Sequence, residues 1–365
     1  MDGAVTKRES IPVSQPSPNQ RAVWQAFPKV ELHRHLEGTF SLPTLHALAI
    51  KNDLGLPRDP EQFRNLVQFP QDSEPDFLKF LSLFKNDWYR SMDDVATITY
   101  ESVREFANDG LYYIELRFSP EHFALHNDFD RSEVTRVVID AADAAAEEIG
   151  VQIRYLITFN RSKQKQDEML ELYRLIRSLE IESIVGVDLA GDEINFPPEL
   201  FRDFFATVNA DGIFSSTIHA GEVTPSEQIW DAIRTLGASR IGHGVSAADD
   251  RELQKYLADH QIVLEQCLTS NYQTGAWKDE KTHPIGELHR KGVPVTINSD
   301  DPFIQGADLT DDYIKIINYF GFTVDDLLAA NLRALNASFL EEDDRIELVQ
   351  GYQDAVSRFR ANYDV

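Results

Sequence analysis

The sequence predicts an α/β protein folded as a (β/α)8 TIM barrel, with extra helices inserted after strand 1 and at the C-terminus. From residue 30 onward, eight short runs rich in β-branched and aromatic residues alternate with longer amphipathic segments. Such alternation indicates parallel strands, and eight units fit a closed barrel better than an open sheet. With 365 residues, of which 42% are hydrophobic, the chain can bury a large core, either as one barrel or as two ordinary domains.

The eight predicted strands each end in or next to polar residues. They are Val30–His35, Tyr112–Ser119, Gln152–Asn160, Ile184–Ala190, Ser215–Glu222, Arg240–Gly244, Ile262–Thr269 and Pro294–Asp300. Amphipathic stretches such as Ser132–Ile149 and Asp167–Leu179 carry apolar residues at three- and four-residue spacing, which predicts helices between the strands. An additional helical segment is expected at residues 60–109, and further helices at 311–363.

The organisation predicted along the chain is one domain after a short leader. Residues 1–20 are polar and contain Pro12, Pro16 and Pro18, so they are expected to be a disordered leader rather than a secretory signal. No Pro/Gly/Ser-rich linker divides the rest, and residues 21–365 are therefore expected to form a single barrel domain. The apolar runs are too short and too charge-interrupted to predict a membrane span.

Composition narrows the class of partner. Cys267 is the only cysteine, which excludes an intrachain disulfide and favours the reducing cytoplasm. The formal net charge is −26, from 61 acidic and 35 basic residues. Such a surface repels phosphate backbones and anionic lipids, so neither a nucleic acid nor a membrane is expected as a partner. A small, neutral or cationic substrate is favoured, and no oligomeric state is indicated.

Side chains that bind metals fall at the ends of several predicted strands. His33 and His35 are two apart on the first strand, so both point to the same face. His219 ends the fifth strand, and Asp300 ends the eighth. Because the C-terminal ends of barrel strands meet at one mouth, these residues are expected to converge on a divalent metal.

Three further polar residues are predicted at the same mouth. They are Glu222, His243 and Asp301. The remaining histidines fall on predicted helices or loops and are expected to be structural: His46, His122, His126, His260, His283 and His289.

Seven segments together resemble the adenosine deaminase family of the metal-dependent amidohydrolase superfamily. They cover essentially residues 28–335 and run in that family's order: HRHLEG (33–38), ELRFSP (115–120), VDLAGDE (187–193), HAGE (219–222), GHG (242–244), TGAW (274–277) and NSDDP (298–302). The resemblance implies zinc-dependent hydrolytic deamination of a 6-aminopurine, in which the amino group leaves as ammonia and a 6-oxo group replaces it. The activity expected is that of a hydrolase acting on the C–N bond of a cyclic amidine.

The resemblance also assigns roles to single residues. It implies one Zn²⁺ per chain held by His33, His35, His219 and Asp300, with water completing the site, although this donor set would also accept iron, cobalt or manganese. His243 would orient or deprotonate the water, and Glu222 would donate a proton to ring N1 of the purine. Asp301 would bond N7, and the backbone N–H of Gly191 would meet N3. Attack on an aromatic amidine carbon needs both an activated nucleophile and a protonated ring nitrogen.

Some acidic residues carry a second interpretation. Glu222 lies three residues after a predicted ligand and could instead brace His219. Asp192 and Glu193 could touch the site, or could favour a turn or helix N-terminus.

An apolar face in the inserted segment predicts either a helix packed on the barrel or a lid that shields the substrate from water. It comprises Phe77, Leu78, Phe80, Leu81, Leu83, Phe84 and Trp88. The resemblance favours the lid, with Phe80 and Phe84 at the substrate.

The substrate is expected to be adenosine or 2′-deoxyadenosine, with one departure from that pattern. Adenosine-specific members generally carry Asp where this chain has Glu37, a position thought to bond the ribose. Glutamate is found there in relatives that act on free adenine or aminodeoxyfutalosine, which remain alternative substrates.

Two other functions are weighed. A binuclear amide or phosphoester hydrolase typically needs a carboxylated lysine or a bridging carboxylate at the end of the fourth strand. Here that strand ends in Asp188–Gly191 without lysine, which favours a mononuclear site. A non-catalytic adenosine-binding or growth-factor-like protein should have lost at least one of the site residues, and none is missing.

Overall fold

The computed structural model describes residues 18–363, and its centre is a sheet of eight parallel strands in the order β1 to β8. The strands are β1 Lys29–His35, β2 Leu111–Phe118, β3 Gln152–Asn160, β4 Ile184–Ala190, β5 Ser215–Ala220, β6 Arg240–His243, β7 Val263–Gln266 and β8 Val295–Ile297. Each pairs in parallel with the next along the chain.

The sheet closes between β8 and β1 through the residues that follow β8. Arg34 and Asp300 form an isolated parallel bridge. The Asp300 amide donates to the His33 carbonyl (2.9 Å), and the His35 amide donates to the Asp300 carbonyl (3.0 Å). The predicted (β/α)8 barrel is therefore confirmed, and its seam runs through three predicted metal ligands.

Helices surround the barrel. They are α1 Pro18–Ala26, α2 Leu42–Lys51, α3 Pro60–Val67, α4 Phe77–Leu81, α5 Met92–Arg104, α6 Pro120–Ala124, α7 Arg131–Ile149, α8 Gln166–Ser178, α9 Arg202–Asp211, α10 Glu227–Arg234, α11 Arg251–His260, α12 Leu268–Gln273, α13 Ile285–Arg290, α14 Pro302–Gln305, α15 Leu309–Phe320, α16 Val324–Asn336 and α17 Glu342–Asn362. Short 3-10 turns follow α5 and lie at residues 198–201, 245–249 and 280–282.

Local sequence explains where the longest barrel helix begins and ends. The Asp130 carboxylate accepts the amide of Glu133 before α7, and Gly150 adopts a φ of 72° after it. The side chains that α7 turns inward, among them Val134 and Val138, are buried. The apolar spacing therefore directs one face of α7 into the main core, as the periodicity predicts.

The boundaries differ from the prediction in several places. The segment at 60–109 is several short helices, and α2 precedes it, which the sequence did not indicate. The seventh strand stops at Gln266, because Leu268–Gln273 is helical, and the eighth stops at Ile297. The leader predicted at residues 1–20 lies outside the described residues except for 18–20, where α1 begins.

The core lies between the barrel and the surrounding helices, and a smaller apolar cluster packs α16 and α17 against the lower ends of β1 and β2. Across residues 18–363, no helix has both the length and the hydropathy that crossing a bilayer requires.

Candidate active site

Four predicted metal ligands meet at the C-terminal end of the barrel. His33 and His35 come from β1, His219 from β5, and Asp300 from the turn after β8. One donor atom from each lies within 4.8 Å of the other three. The Nε2 atoms of His35 and His219 are 3.2 Å apart, and His33 Nε2 lies 3.1 Å from Asp300 Oδ1.

Two of these donor atoms are buried without a hydrogen-bond partner among the described residues. They are Nε2 of His33 and Oδ1 of Asp300, which lie 3.1 Å apart but do not have the geometry of a hydrogen bond. An unpaired buried polar atom costs free energy, and a bound cation would remove that cost at both atoms. Burial lowers the pKa of the His35 imidazole well below its usual range, which keeps that ring in the neutral form that metals bind. The four residues therefore fit a divalent cation.

Buried carboxylates brace two of the imidazoles from behind. His33 Nδ1 lies 2.8 Å from Glu265 Oε2, and His219 Nδ1 lies 2.9 Å from Asp188 Oδ1. A carboxylate at Nδ1 places the ring proton there and leaves the Nε2 lone pair pointing at the cation position. These partners were missed, because the sequence shows only acids inside strands β4 and β7.

A buried guanidinium joins the two bracing carboxylates. Arg117 on β2 donates to Glu265 Oε2 (2.9 Å), and its Nη1 lies 3.2 Å from Asp188 Oδ1. Arg240 donates to the other oxygen of Glu265 (2.7 Å). Burial opposes ionisation of Glu265, but the two guanidinium groups hold the pKa of this carboxyl well below its usual range. Glu265 therefore remains an acceptor for His33.

The turn that carries Asp300 is held in a strained conformation. Asp300 has a φ of 66°, which non-glycine residues rarely adopt. The preceding residue, Ser299, donates both its amide and its hydroxyl to Glu31 Oε1 (2.5 Å each). Arg34 donates to the Ser299 hydroxyl (2.9 Å) and to Asp109 (2.7 Å). This buried network fixes where the Asp300 carboxylate points.

Glu222 and His243 face each other beside the ligand cluster. Glu222 Oε2 lies 3.6 Å from His243 Nε2. Burial, together with the nearby Asp300 carboxylate, raises the pKa of Glu222 well above its usual range, which favours the protonated form of this side chain. The alternative role of Glu222, bracing His219, is wrong, because Asp188 occupies that position.

The two acids that follow β4 differ in their contacts. Glu193 is buried and accepts the amides of Val223 (2.6 Å) and Thr224 (2.9 Å), so it holds the loop that presents Glu222. Asp192 instead accepts the amides of residues 194 and 195, both at 3.1 Å, and caps its own turn.

Asp301 points into the mouth beside Gly38. A Cβ added to Gly38 would lie 1.6 Å from Asp301 Oδ1, so no larger residue fits there. Burial and the adjacent Asp300 raise the pKa of Asp301 well above its usual range. Gly191 has a φ of 98°, and a Cβ there would lie 2.9 Å from the side-chain oxygen of Asn160, so this turn also requires glycine.

A cavity opens above these residues, with about 1000 Å³ of empty volume including the solvent at its mouth. Its wall contains the predicted ligands His35, His219 and Asp300, the polar residues Glu37, Glu222, His243 and Asp301, the glycine Gly191, and the apolar residues Phe77, Phe80, Leu81 and Phe84. The structure thus brings together around one cavity every residue predicted for the site except His33, which lies beneath it.

Glu37 and His122 also line the cavity, in a part of its wall that we call the outer wall, and only Glu37 was predicted there. Glu37 Oε1 accepts the Ser119 amide (2.6 Å), and burial raises the pKa of Glu37 to about 7. His122, expected to be only structural, lines the cavity. Burial lowers the pKa of His122 to about 3, so its ring is neutral. Its place on α6 after β2 was the available signal, since loops after barrel strands surround the mouth.

Known proteins match most of the chain. A family model described as adenosine deaminase matches residues 28–355. A protein named adenosine deaminase from Yersinia pseudotuberculosis serotype IB (strain PB1/+) is 37% identical over 324 residues, which cover 87% of this chain and 95% of that protein. Another of that name, from Klebsiella pneumoniae (strain 342), is 35% identical over 330 residues, covering 89% and 97%.

Solved structures share the fold. An adenine deaminase from Arthrobacter aurescens has a TM-score of 0.82 at 25% identity, covering 91% of this chain and 100% of that one. An amidohydrolase from Burkhoderia ambifaria, solved with bound Zn, has a TM-score of 0.85 at 22% identity, covering 96% and 98%. At that lower identity the second likeness shows the fold alone.

Proposed function

The chain belongs to the adenosine deaminase family, and on that premise we propose that it converts adenosine and 2′-deoxyadenosine to inosine and 2′-deoxyinosine with release of ammonia. The enzyme is a hydrolase that acts on C–N bonds of cyclic amidines. The observation that carries the proposal is the position of Glu222, a buried carboxylic acid beside both the four-ligand cluster and the cavity.

The metal in this proposal is one zinc ion per chain, held by His33, His35, His219 and Asp300. Three imidazoles and one carboxylate are a nitrogen and oxygen donor set that suits zinc. When bound, the ion supplies the Lewis acid that activates a water molecule. A second ion is not expected, because the Asp188 carboxylate is already engaged by His219 and Arg117 and is not free to bridge.

The chain's own residues supply the proton transfers and the binding contacts. Glu222 donates its proton to ring N1, which makes the attacked carbon more electrophilic. Asp301 bonds N7, and the Gly191 amide donates to N3, so the purine is held at both rings. Phe80 and Phe84 cover the mouth and exclude water. His243 holds the attacking oxygen in place.

Adenosine is favoured over adenine by the names of the more similar relatives. The relatives at 35–37% identity are named adenosine deaminases. We propose that Glu37, which lines the cavity, contacts the ribose.

Free adenine or aminodeoxyfutalosine is the second candidate substrate. The position of Glu37 carries glutamate rather than aspartate, and one solved structure with this fold at 25% identity is an adenine deaminase. Both candidate substrates would use the same proposed metal and the same acid, so the two proposals differ only in the contacts made at the outer wall.

The remaining proposals concern the whole chain. Residues 21–365 act as a single catalytic domain, as the continuous barrel and its C-terminal helices support. The one cysteine, Cys267, is buried as a free thiol, and we place the enzyme in the cytoplasm.

The experiment that tests the function is a substrate panel on zinc-loaded protein. Ultraviolet absorbance follows adenosine, 2′-deoxyadenosine, adenine and aminodeoxyfutalosine, and metal analysis of the same sample gives the ions per chain. Adenosine should have the highest kcat/KM, with near one zinc per chain. A higher value for adenine would transfer the assignment to the second candidate, near two ions would favour the binuclear hydrolase, and no turnover of any compound would favour the binding protein.

A further inference from the structure

Three buried side chains and one backbone amide form a continuous hydrogen-bond chain that ends on His243. The Ile285 amide donates to His283 Nδ1 (3.3 Å). His283 Nε2 lies 3.1 Å from Asn271 Oδ1. Asn271 Nδ2 lies 3.1 Å from His243 Nδ1. All three side chains are at most 2% exposed, so water does not compete for these contacts.

The Ile285 amide sets the direction in which these hydrogen bonds run. A backbone N–H can only donate, so Nδ1 of His283 is the acceptor nitrogen. Burial lowers the pKa of His283 to about 3, so the ring is neutral and its single proton is on Nε2. That proton is donated to Asn271 Oδ1, which leaves the Asn271 NH₂ group facing His243. Nδ1 of His243 therefore accepts, and the proton of His243 is on Nε2.

A second observation agrees with this proton position. His243 Nε2 faces two carboxyl groups, with Glu222 Oε2 at 3.6 Å and Asp300 Oδ2 at 3.9 Å. The backbone of His243 is also fixed, because its carbonyl accepts the side-chain amide of Gln266 and its φ is 60°. The ring is thus held with an N–H directed at oxygen atoms of the site.

We propose that Asn271 and His283 are positioning residues that hold His243 as the Nε2–H tautomer, so that His243 donates a hydrogen bond to the attacking oxygen. The proton that the attacking water loses would then pass to bulk solvent before the substrate binds, and not to His243. This inference rests on the proposed function for the identity of that oxygen. It decides between the two roles that the family resemblance leaves to His243. A fixed donor aimed at the nucleophile stabilises charge there without reorganisation during the reaction.

The first test reads the proton position directly in the unmodified protein. Full-length protein with ¹⁵N-labelled histidine is examined by two-bond ¹H–¹⁵N correlation NMR, with and without zinc, and the His243 signals are assigned by their loss in His243→Gln. The expected pattern has protonated Nε2 and unprotonated Nδ1 for both His243 and His283. An Nδ1–H pattern for His243 overturns the proposal, whether or not the protein deaminates any purine.

The second test uses Asn271→Asp to reverse the direction of the hydrogen bond to His243. A carboxylate can only accept, so it should take protons from both neighbours and place the His243 proton on Nδ1. We expect kcat to fall by about 10²-fold or more, with KM changed by less than about threefold, because the proposed partner of His243 is the attacking oxygen and not the purine. An unchanged kcat together with a reversed tautomer would overturn the role in the reaction.

The matched control is Asn331→Asp. Asn331 is equally buried, donates to Pro28 and Tyr352, and accepts from Tyr313 on the outer side of the barrel. It receives the same isosteric change and the same buried charge, so it should lose stability while the His243 signals stay in place. If both variants shift those signals equally, the effect of Asn271→Asp is general and the proposal fails.

The third test separates hydrogen bonding at His283 from packing. His283→Gln keeps an N–H that can reach Asn271, whereas His283→Phe removes it. Gln should retain the wild-type tautomer and most of kcat, and Phe should lose both. Equal losses in the two variants would mean that His283 acts only by filling space.

Discussion

Asp188 Oδ1 lies 2.9 Å from Nδ1 of His219, with both side chains buried at the end of adjacent barrel strands. The contact orients the imidazole before any metal arrives. Burial opposes ionisation of Asp188, yet His219 and Arg117 hold the pKa of this carboxyl far below its usual range. Asp188 is therefore charged at every pH at which the enzyme would work.

The first prediction concerns this brace. Asp188→Asn should weaken zinc binding by about 10- to 100-fold, because a neutral amide fixes the His219 tautomer less firmly. Competition with a chromophoric chelator measures the affinity. Asp354→Asn, an exposed change on α17, is the control and should bind zinc as the wild type does. Equal affinity in Asp188→Asn would show that the contact does not support the metal.

The acid is tested by Glu222→Gln. The amide keeps the shape of the side chain but cannot donate the proton, so kcat should fall by about 10²-fold or more. Zinc content should stay near that of the wild type, because Glu222 is not among the four ligands. Metal analysis and steady-state kinetics on one preparation measure both. A wild-type kcat would remove Glu222 from the proton transfer.

Glu37→Asp tests the outer wall. The Glu37 carboxylate accepts the Ser119 amide at 2.6 Å, and the shorter side chain cannot hold this bond and reach the sugar at once. Loss of one hydrogen bond should lower kcat/KM for adenosine by about fivefold. The value for adenine, which has no sugar, should stay constant. If the ratio of the two is unchanged, Glu37 does not face the ribose.

Phe84→Ala tests the lid. Phe84 packs against Phe80 with ring centroids 6.3 Å apart and lies 6.5 Å from the His35 ring, so its removal opens the cavity to water. We expect kcat/KM to fall about tenfold while zinc remains bound. Leu78→Ala on the same segment is the control, because Leu78 is 50% exposed, and its kcat/KM should match that of the wild type. Equal losses would mean that any truncation there disturbs the fold.

The sequence predicts where a residue lies when a general rule of the fold relates its position in the chain to its position in the barrel. Barrel strands end at a common mouth, so His33, His219 and Asp300 could be expected together although they are far apart in the chain. The bracing contacts could not be foreseen in this way. Charged side chains inside strands are normally a sign against burial, and only the folded barrel places Arg117 between Asp188 and Glu265.

The apolar pattern of the inserted segment also did not predict where its helices end. The segment at 60–109 was predicted to be helical, but α4 ends at Leu81, where the Ser82 hydroxyl donates to the Lys79 carbonyl (2.6 Å). A serine that bonds nearby backbone favours a helix end. The residues beyond it turn toward the cavity, so Phe84 lines the site from an irregular stretch.

The last prediction concerns acid stability and uses His122, which is buried and neutral at the cavity wall. Its pKa is about 3 in the folded protein, against ~6.5 in an unfolded chain, and burial is the main cause. Between pH ~6.5 and pH ~3, His122 is therefore protonated in the unfolded state but not in the folded state. Stability from this group is complete above pH ~6.5 and is lost as the pH falls toward 3.

Urea unfolding at pH 7 and pH 5 measures the effect. Between these pH values the single histidine should cost about 2 kcal/mol of the free energy of unfolding. His122→Gln cannot be protonated, so its loss of stability on acidification should be smaller than that of the wild type by about that amount. His260→Gln, an exposed change at the end of α11, should lose as much as the wild type. An identical loss in His122→Gln would show that this ring accepts a proton in the folded state, and that burial does not hold it neutral.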